Sequence, residues 1–252
     1  MSEHVAVTRE NGVQTLRLNR PEKKNALTAA MYRVLADALN SANEDDAIAV
    51  TVILGQPGIF SAGNDIADFL AASQGGVQLH GFDFLKALAE CDKPLIAGVD
   101  GAAIGIGTTL MFHCDLVFAS PRAVFQTPFV DLGLLPEAAS SLLGPLAMGH
   151  ARAFELLVMG EPWSAERARE AGFVNHIAPP EELESEVLKA AHALAQKPRQ
   201  AVRLARRLLK GDKAVIKERM QEEGALFLER VASDEARAAF MAFLQKSPRS
   251  AR

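Results

Sequence analysis

The amino-acid sequence predicts an α/β core followed by a helical C-terminal region, and three observations lead there. Short runs of β-branched and aliphatic residues alternate with helix-period segments through the first two-thirds of the chain. Turns rich in glycine join several of these runs to the helices behind them. From Glu181 onward the pattern is helical only, broken at Lys197-Pro198 and Gly211-Asp212. The core is expected over residues 1–195 and the helical region over 196–252.

Taken in order, Val5 to Leu18 alternates on both sides of Asn11-Gly12, the dipeptide that best specifies a two-residue hairpin turn. Arg20-Pro21 ends the second strand. Thr28 is placed to cap a helix through about Ala42, with Met31, Leu35, Ala38 and Leu39 on one face. Ala47 to Leu54 reads as a buried strand ending at Gly55. A loop over Gln56 to Asn64 feeds a short helix from Asp65, and Ala72 to Gly76, small and polar, reads as a mobile loop. There follow a helix to about Cys91, a strand from Leu95 to Val99, a glycine-rich turn with a helix behind it, and short strands at Leu116 to Phe118 and Ala123 to Gln126. After Glu137 the chain is mostly helical, with one more strand near Phe173 to Ile177.

Composition narrows the function classes. The chain carries 27 Lys+Arg against 31 Asp+Glu, and a net charge of -4 has the wrong sign for a dedicated nucleic-acid binder. With 49% hydrophobic and 23% charged residues, neither disorder nor a coiled coil is expected. Cys91 and Cys114 are too few for a disulfide framework, which fits reduced thiols in an intracellular protein. The opening MSEHVAVTRENG has no apolar core of signal-peptide length, no run reaches 18 apolar residues, and the final Ser-Ala-Arg is not a peroxisomal address. A cytoplasmic protein that spans no membrane is expected.

Four stretches could carry chemistry. Phe60-Ser61-Ala62-Gly63-Asn64-Asp65 and Gly101-Ala102-Ala103-Ile104-Gly105-Ile106-Gly107 are strand-to-helix passages of small residues, able to turn backbone N–H groups toward a developing negative charge. The second is not a dinucleotide fingerprint: Leu110 stands where a third glycine is needed, and no acid follows at about 20 residues. Pro136-Glu137 places a lone carboxylate among apolar and small residues. From local pattern it opens a helix, while in apolar surroundings a carboxylate has a raised pKa and can shuttle protons. Arg199, Arg203, Arg206, Arg207 and Lys210 share a helix face that reads as solvated. His113 has no metal-ligand spacing around it, so no metal site is expected, and Ser61, Ser140 and Ser141 lack a nucleophile-elbow context.

In order, these stretches resemble the crotonase, or enoyl-CoA hydratase/isomerase, superfamily. The resemblance runs through Asn19-Arg20-Pro21, Lys24-Asn25-Ala26-Leu27, FSAGND at 60–65, KPLIAGVDGAAIGIG at 93–107, CDLVFAS at 114–120 and FQTPFVDLGLLPE at 125–137. It implies a spiral of ββα units, a helical C-terminal region that builds homotrimers or dimers of trimers, and an acyl-CoA substrate with no cofactor beyond its CoA moiety. The family's oxyanion hole, two main-chain N–H groups, maps onto Asn64 and Ile106. Its hydratases use two glutamates, and the matching positions here are Thr109 and Phe129. Glu137 instead falls where the peroxisomal-type 3-enoyl-CoA to 2-enoyl-CoA isomerases carry their base.

The resemblance therefore implies an isomerase in which Glu137 moves a proton from C2 to C4 of a 3-enoyl thioester. CoA contacts carry over to Lys24, Ala26, Leu27, Ala62 and Asp65, and, from a neighbouring subunit's tail, to Phe243 and Lys246. Ala67 stands where the family often has a lysine. Leu70 to Phe84 are expected to shape part of the acyl pocket. Two alternatives stay open: a hydratase or other crotonase-family reaction on an acyl-CoA, and a non-catalytic acyl-CoA-binding scaffold.

Overall fold

The computed structural model describes residues 3–65 and 81–246, and of residues 243–246 only the backbone. The short helix expected after Asp65, the loop over Ala72 to Gly76, and most of the expected acyl-pocket segment lie outside the described residues.

Strand β1 (Val5–Glu10) pairs antiparallel with β2 (Val13–Leu18), in register from Val5↔Leu18 to Glu10↔Val13, so Asn11-Gly12 forms the two-residue turn. Strand β2 lies parallel to β3 (Val50–Leu54), and the sheet continues in parallel through β5 (Leu95–Val99), β7 (Leu116–Ala119) and β10 (His176–Ile177). A second sheet runs in the order β4 (Ile59–Ser61), β6 (Ala102–Ile104), β8 (Val124–Gln126) and β9 (Trp163–Ser164), with only β8–β9 antiparallel. Consecutive strands thus alternate between sheets: β3 and β4, β5 and β6, β7 and β8 each lay one strand in each. The chain then enters a helix, such as α2 (Gly81–Glu90) or the short α3 (Ile106–Thr109) with its 3-10 turn Leu110–His113. This is the spiral of ββα units that the resemblance implies.

Period-two alternation explains why the main sheet is covered on both faces. Ile53, Leu95, Ala97 and Val99 enter the large core with Phe60, Phe84, Phe125 and Trp163, while Val50, Val52, Leu54 and Ile96 pack with Leu183, Val187 and Ala191 of α7 (Pro180–Ala195). Helix α1 (Ala29–Glu44) closes the core behind the hairpin, and its first turn is capped by Thr28 Oγ1, which accepts the Met31 N–H at 3.3 Å.

The later helices are α4 (Ser140–Met148), α5 (His150–Phe154), which runs on into a π-helical turn, α6 (Ala165–Ala171), α8 (Arg199–Lys210), α9 (Lys213–Val231) and α10 (Asp234–Lys246).

Three expectations change. The strand near Phe173 shrinks to β10, because the Phe173 and Val174 N–H groups turn back to the Ala168 carbonyl at the end of α6. Glu137 does not open a helix: Ala138 and Ala139 are left-handed, with φ of 61° and 54°, and α4 starts only at Ser140. The basic run is a solvated face only in part: Arg199, Arg203 and Arg207 are exposed, but Arg206 and Lys210 turn inward. Arg206 is buried, donating to Asp115 at 2.7 Å and to the Cys91 carbonyl at 2.5 Å, and Lys210 donates to the His113 carbonyl at 2.7 Å. Two backbone carbonyls and one aspartate from distant segments satisfy Arg206 and Lys210, which a local pattern cannot reveal.

Candidate active site

The two glycine-containing passages meet in space. A Cβ on Gly63, whose φ is +85°, would stand 2.8 Å from the Ile104 carbonyl oxygen, so only glycine lets the loops approach this closely. Asn64 follows Gly63 directly. Its neighbours are fixed by a parallel bridge, with Leu27 N donating to Gly63 O at 2.8 Å and Asp65 N donating to Leu27 O at 3.0 Å. Strand alternation turns the Asn64 N–H to the opposite side from that bridge. Ile106 is the first residue of α3, behind Gly105, and its N–H is one of those that a helix start leaves without an intrahelical acceptor. Backbone donors at Asn64 and Ile106 therefore leave two adjoining loops.

The Glu137 carboxyl meets the far end of this short helix. Thr109, at the end of α3, donates its hydroxyl to Glu137 Oε1 at 2.7 Å. Three residues of helix rise only about 4.5 Å, so the carboxyl is tied close to the Ile106 end of the loop. Glu137 is 8% exposed, and its pKa is pushed up from 4.5 to about 8. Burial is the main cause; the Thr109 hydrogen bond opposes it, and the Glu223 charge adds to it.

The backbone behind Glu137 is gripped from two other elements. His113 Nε2 lies 2.7 Å from the Ala138 carbonyl, and since a carbonyl only accepts, that nitrogen carries the proton. Burial pushes the His113 pKa down to about 4, keeping the ring neutral. Glu223 of α9 accepts the Ala139 N–H at 2.6 Å and the Ser141 N–H at 3.0 Å. No local signal marks Glu223, one acid among many on its helix, and nothing around His113 in the chain points to this contact.

The segments expected to meet CoA come together as one strip. Ala62 N donates to Lys24 O at 2.9 Å, Leu27 is laddered to Gly63, and the Ala26 carbonyl accepts from Arg20 at 2.9 Å. Lys24 is exposed and Leu27 buried; Asp65 is ion-paired with Arg20 at 2.6 Å. Sequence reading missed Tyr32, whose hydroxyl donates to Asn64 Oδ1 and so ties α1 to the first loop. The side chains of Phe243 and Lys246 lie outside the described residues.

Residues 8–250 match the family model described as enoyl-CoA hydratase/isomerase. The chain belongs to this family. Among solved structures, it is similar to Pseudomonas aeruginosa OdaA, 42% identical with a TM-score of 0.92, covering 97% of this chain and 100% of that one. Among curated proteins, it is 36% identical to "Enoyl-CoA delta isomerase 2" of Rattus norvegicus over 98% of this chain, and it spans only 65% of that relative's length. It is also 32% identical to "2,3-dehydroadipyl-CoA hydratase" of Escherichia coli, covering 98% of this chain and 97% of that protein.

Family membership makes positions 109 and 129 informative. Thr109 is a hydrogen-bond donor to the Glu137 carboxyl. Phe129 is buried with Leu134, Phe227, Val231 and Phe240, and its ring edge would lie 3.8 Å from a Cβ on Gly105. An apolar ring therefore sits beside the second loop. Among the described residues no helix is long and apolar enough to cross a membrane.

Proposed function

We propose that this chain isomerises 3-enoyl-CoA to 2-enoyl-CoA. Glu137 removes a proton from C2, the resulting dienolate oxygen is stabilised by the N–H groups of Asn64 and Ile106, and the protonated carboxyl returns the proton to C4. One base serves both carbons when it lies over one face of the planar intermediate. The carrying observation is the buried Glu137 carboxyl, poised at about 8 and held by Thr109, with phenylalanine at the other hydratase position beside the second loop. A base with a pKa near the working pH both accepts and returns a proton readily. The CoA moiety is read onto the strip Lys24, Ala26, Leu27, Ala62 and Asp65. Association into trimers or dimers of trimers is part of the same proposal, supported by Leu208 and Leu209, large apolar side chains exposed on α8.

The test compares wild type with Glu137→Gln on 3-enoyl-CoA and on 2-enoyl-CoA, following conjugated and hydrated products separately. Conjugation is expected from wild type and should fall ~10²–10⁴-fold in the variant, with binding of the thioester retained. Hydration that survives the substitution would overturn the assignment and favour the hydratase reading.

A further inference from the structure

Two consecutive alanines in left-handed backbone are unusual. Each Cβ crowds its own carbonyl there, and such conformations persist only where surrounding groups over-determine them. The surroundings here are specific: His113 holds the carbonyl of Ala138, and the next N–H groups, those of Ala139 and Ser141, both end on one carboxylate. That carboxylate is 4% exposed and comes from α9, more than 80 residues further along the chain. Arg219, one turn earlier on α9, donates to Ser141 Oγ at 3.2 Å and pairs with Glu222 at 3.1 Å.

We propose that Glu223 is a positioning residue for Glu137: by accepting both N–H groups it locks the left-handed Ala138-Ala139 turn, and that turn aims the Glu137 carboxyl at Thr109 and the substrate. The C-terminal helical region thereby sets the geometry of the base without touching substrate. The inference rests on Glu137 being the base. Among the described residues, the charged or titratable groups facing this cradle are Glu137 itself, Arg219 from α9 and the neutral His113 from the 3-10 turn behind α3.

The rival is a purely structural role, in which Glu223 only caps the start of α4. The experiment compares full-length Glu223→Ala and Glu223→Gln with wild type, using the neighbouring exposed Glu222→Gln as control. Three quantities are measured: melting temperature, kcat and KM on 3-enoyl-CoA, and the titration of the Glu137 carboxyl by 13C NMR, assigned by its loss in Glu137→Gln. Misplacing a reacting group by about 1 Å can cost ~10²-fold, so Glu223→Ala should lower kcat by about that factor while KM stays within about threefold. Glu223→Gln, which keeps one acceptor and loses the charge, should lower kcat less and move the Glu137 titration down. Glu222→Gln should match wild type.

A lower melting temperature with wild-type kcat and an unmoved Glu137 titration would overturn the proposal in favour of simple capping. Should Glu223→Ala fail to fold, Glu223→Gln decides alone on the same terms. If wild type moves no double bond, the isomerase reading fails, while the NMR titration still decides whether Glu223 sets the state of Glu137.

Discussion

Glu137 is held where an ionised carboxylate is least at ease, and that tension is measurable. Its pKa is raised on folding, so folding favours its protonated form. The stability this group allows is fully present below its unfolded value of 4.5 and is lost as pH rises through about 8. Glu137→Gln, which stays neutral, should therefore be more stable than wild type at pH 8.5, by on the order of a few kcal/mol at most, with the gap closing toward pH 4.5. Urea denaturation at the two pH values checks this, and a constant gap would mean that the carboxyl does not change its ionisation on folding. The same ionisation should make kcat/KM of wild type climb as pH passes through about 8. At this scale the sequence was half legible: Glu137 stood out as a lone acid among apolar neighbours, whereas Tyr32, His113 and Glu223 became meaningful only through partners distant in the chain.

Among the elements, α8 shows how a surface pattern can mislead. Its arginines repeat like a solvated face, yet Arg206 sits on Asp115, which also accepts the Leu95 N–H at 2.8 Å at the start of β5. Arg206→Ala would leave that aspartate and the Cys91 carbonyl without their buried cation, so a loss of about 2–4 kcal/mol in urea denaturation is expected. A loss under ~1 kcal/mol would mean that solvent already screens the pair. The hairpin, α1 and β5 were readable because turn chemistry and one-sided apolar spacing act within a few residues. Strands as short as β4 and β9 were not, since two or three residues carry no period and their pairing partners lie far along the chain.

For the whole molecule, the C-terminal helices are built into the fold that carries the candidate site. Phe227 and Val231 of α9, with Ala236 and Phe240 of α10, cover Phe129 and Leu134, while Ile216 of α9 joins Ala89 and Ala139. Burial of this kind couples segments that read as separate regions in sequence. Trp163, the chain's single tryptophan, is buried in the large core, so its fluorescence reports that core, while far-UV circular dichroism is weighted toward the helices. In denaturant the two signals should change at the same midpoint. An earlier loss of helix signal would show that the C-terminal region unfolds on its own.

The sequence by itself determined the α/β class, the hairpin, the glycine-bearing loops and the family, and it pointed to Glu137 as the candidate base, because each is written in residues adjacent in the chain or in a fixed order along it. The tertiary structure alone decided that Thr109 meets Glu137, that Tyr32 steadies Asn64, and that Glu223 grips the turn behind the carboxylate. Hydrogen bonds of 2.6–3.0 Å need atoms brought together from segments 28 and more than 80 residues apart, and local pattern does not encode that proximity. The raised pKa belongs to the same class: a carboxyl is shifted by what surrounds it once the core has closed, and the chain supplies those surroundings only by folding.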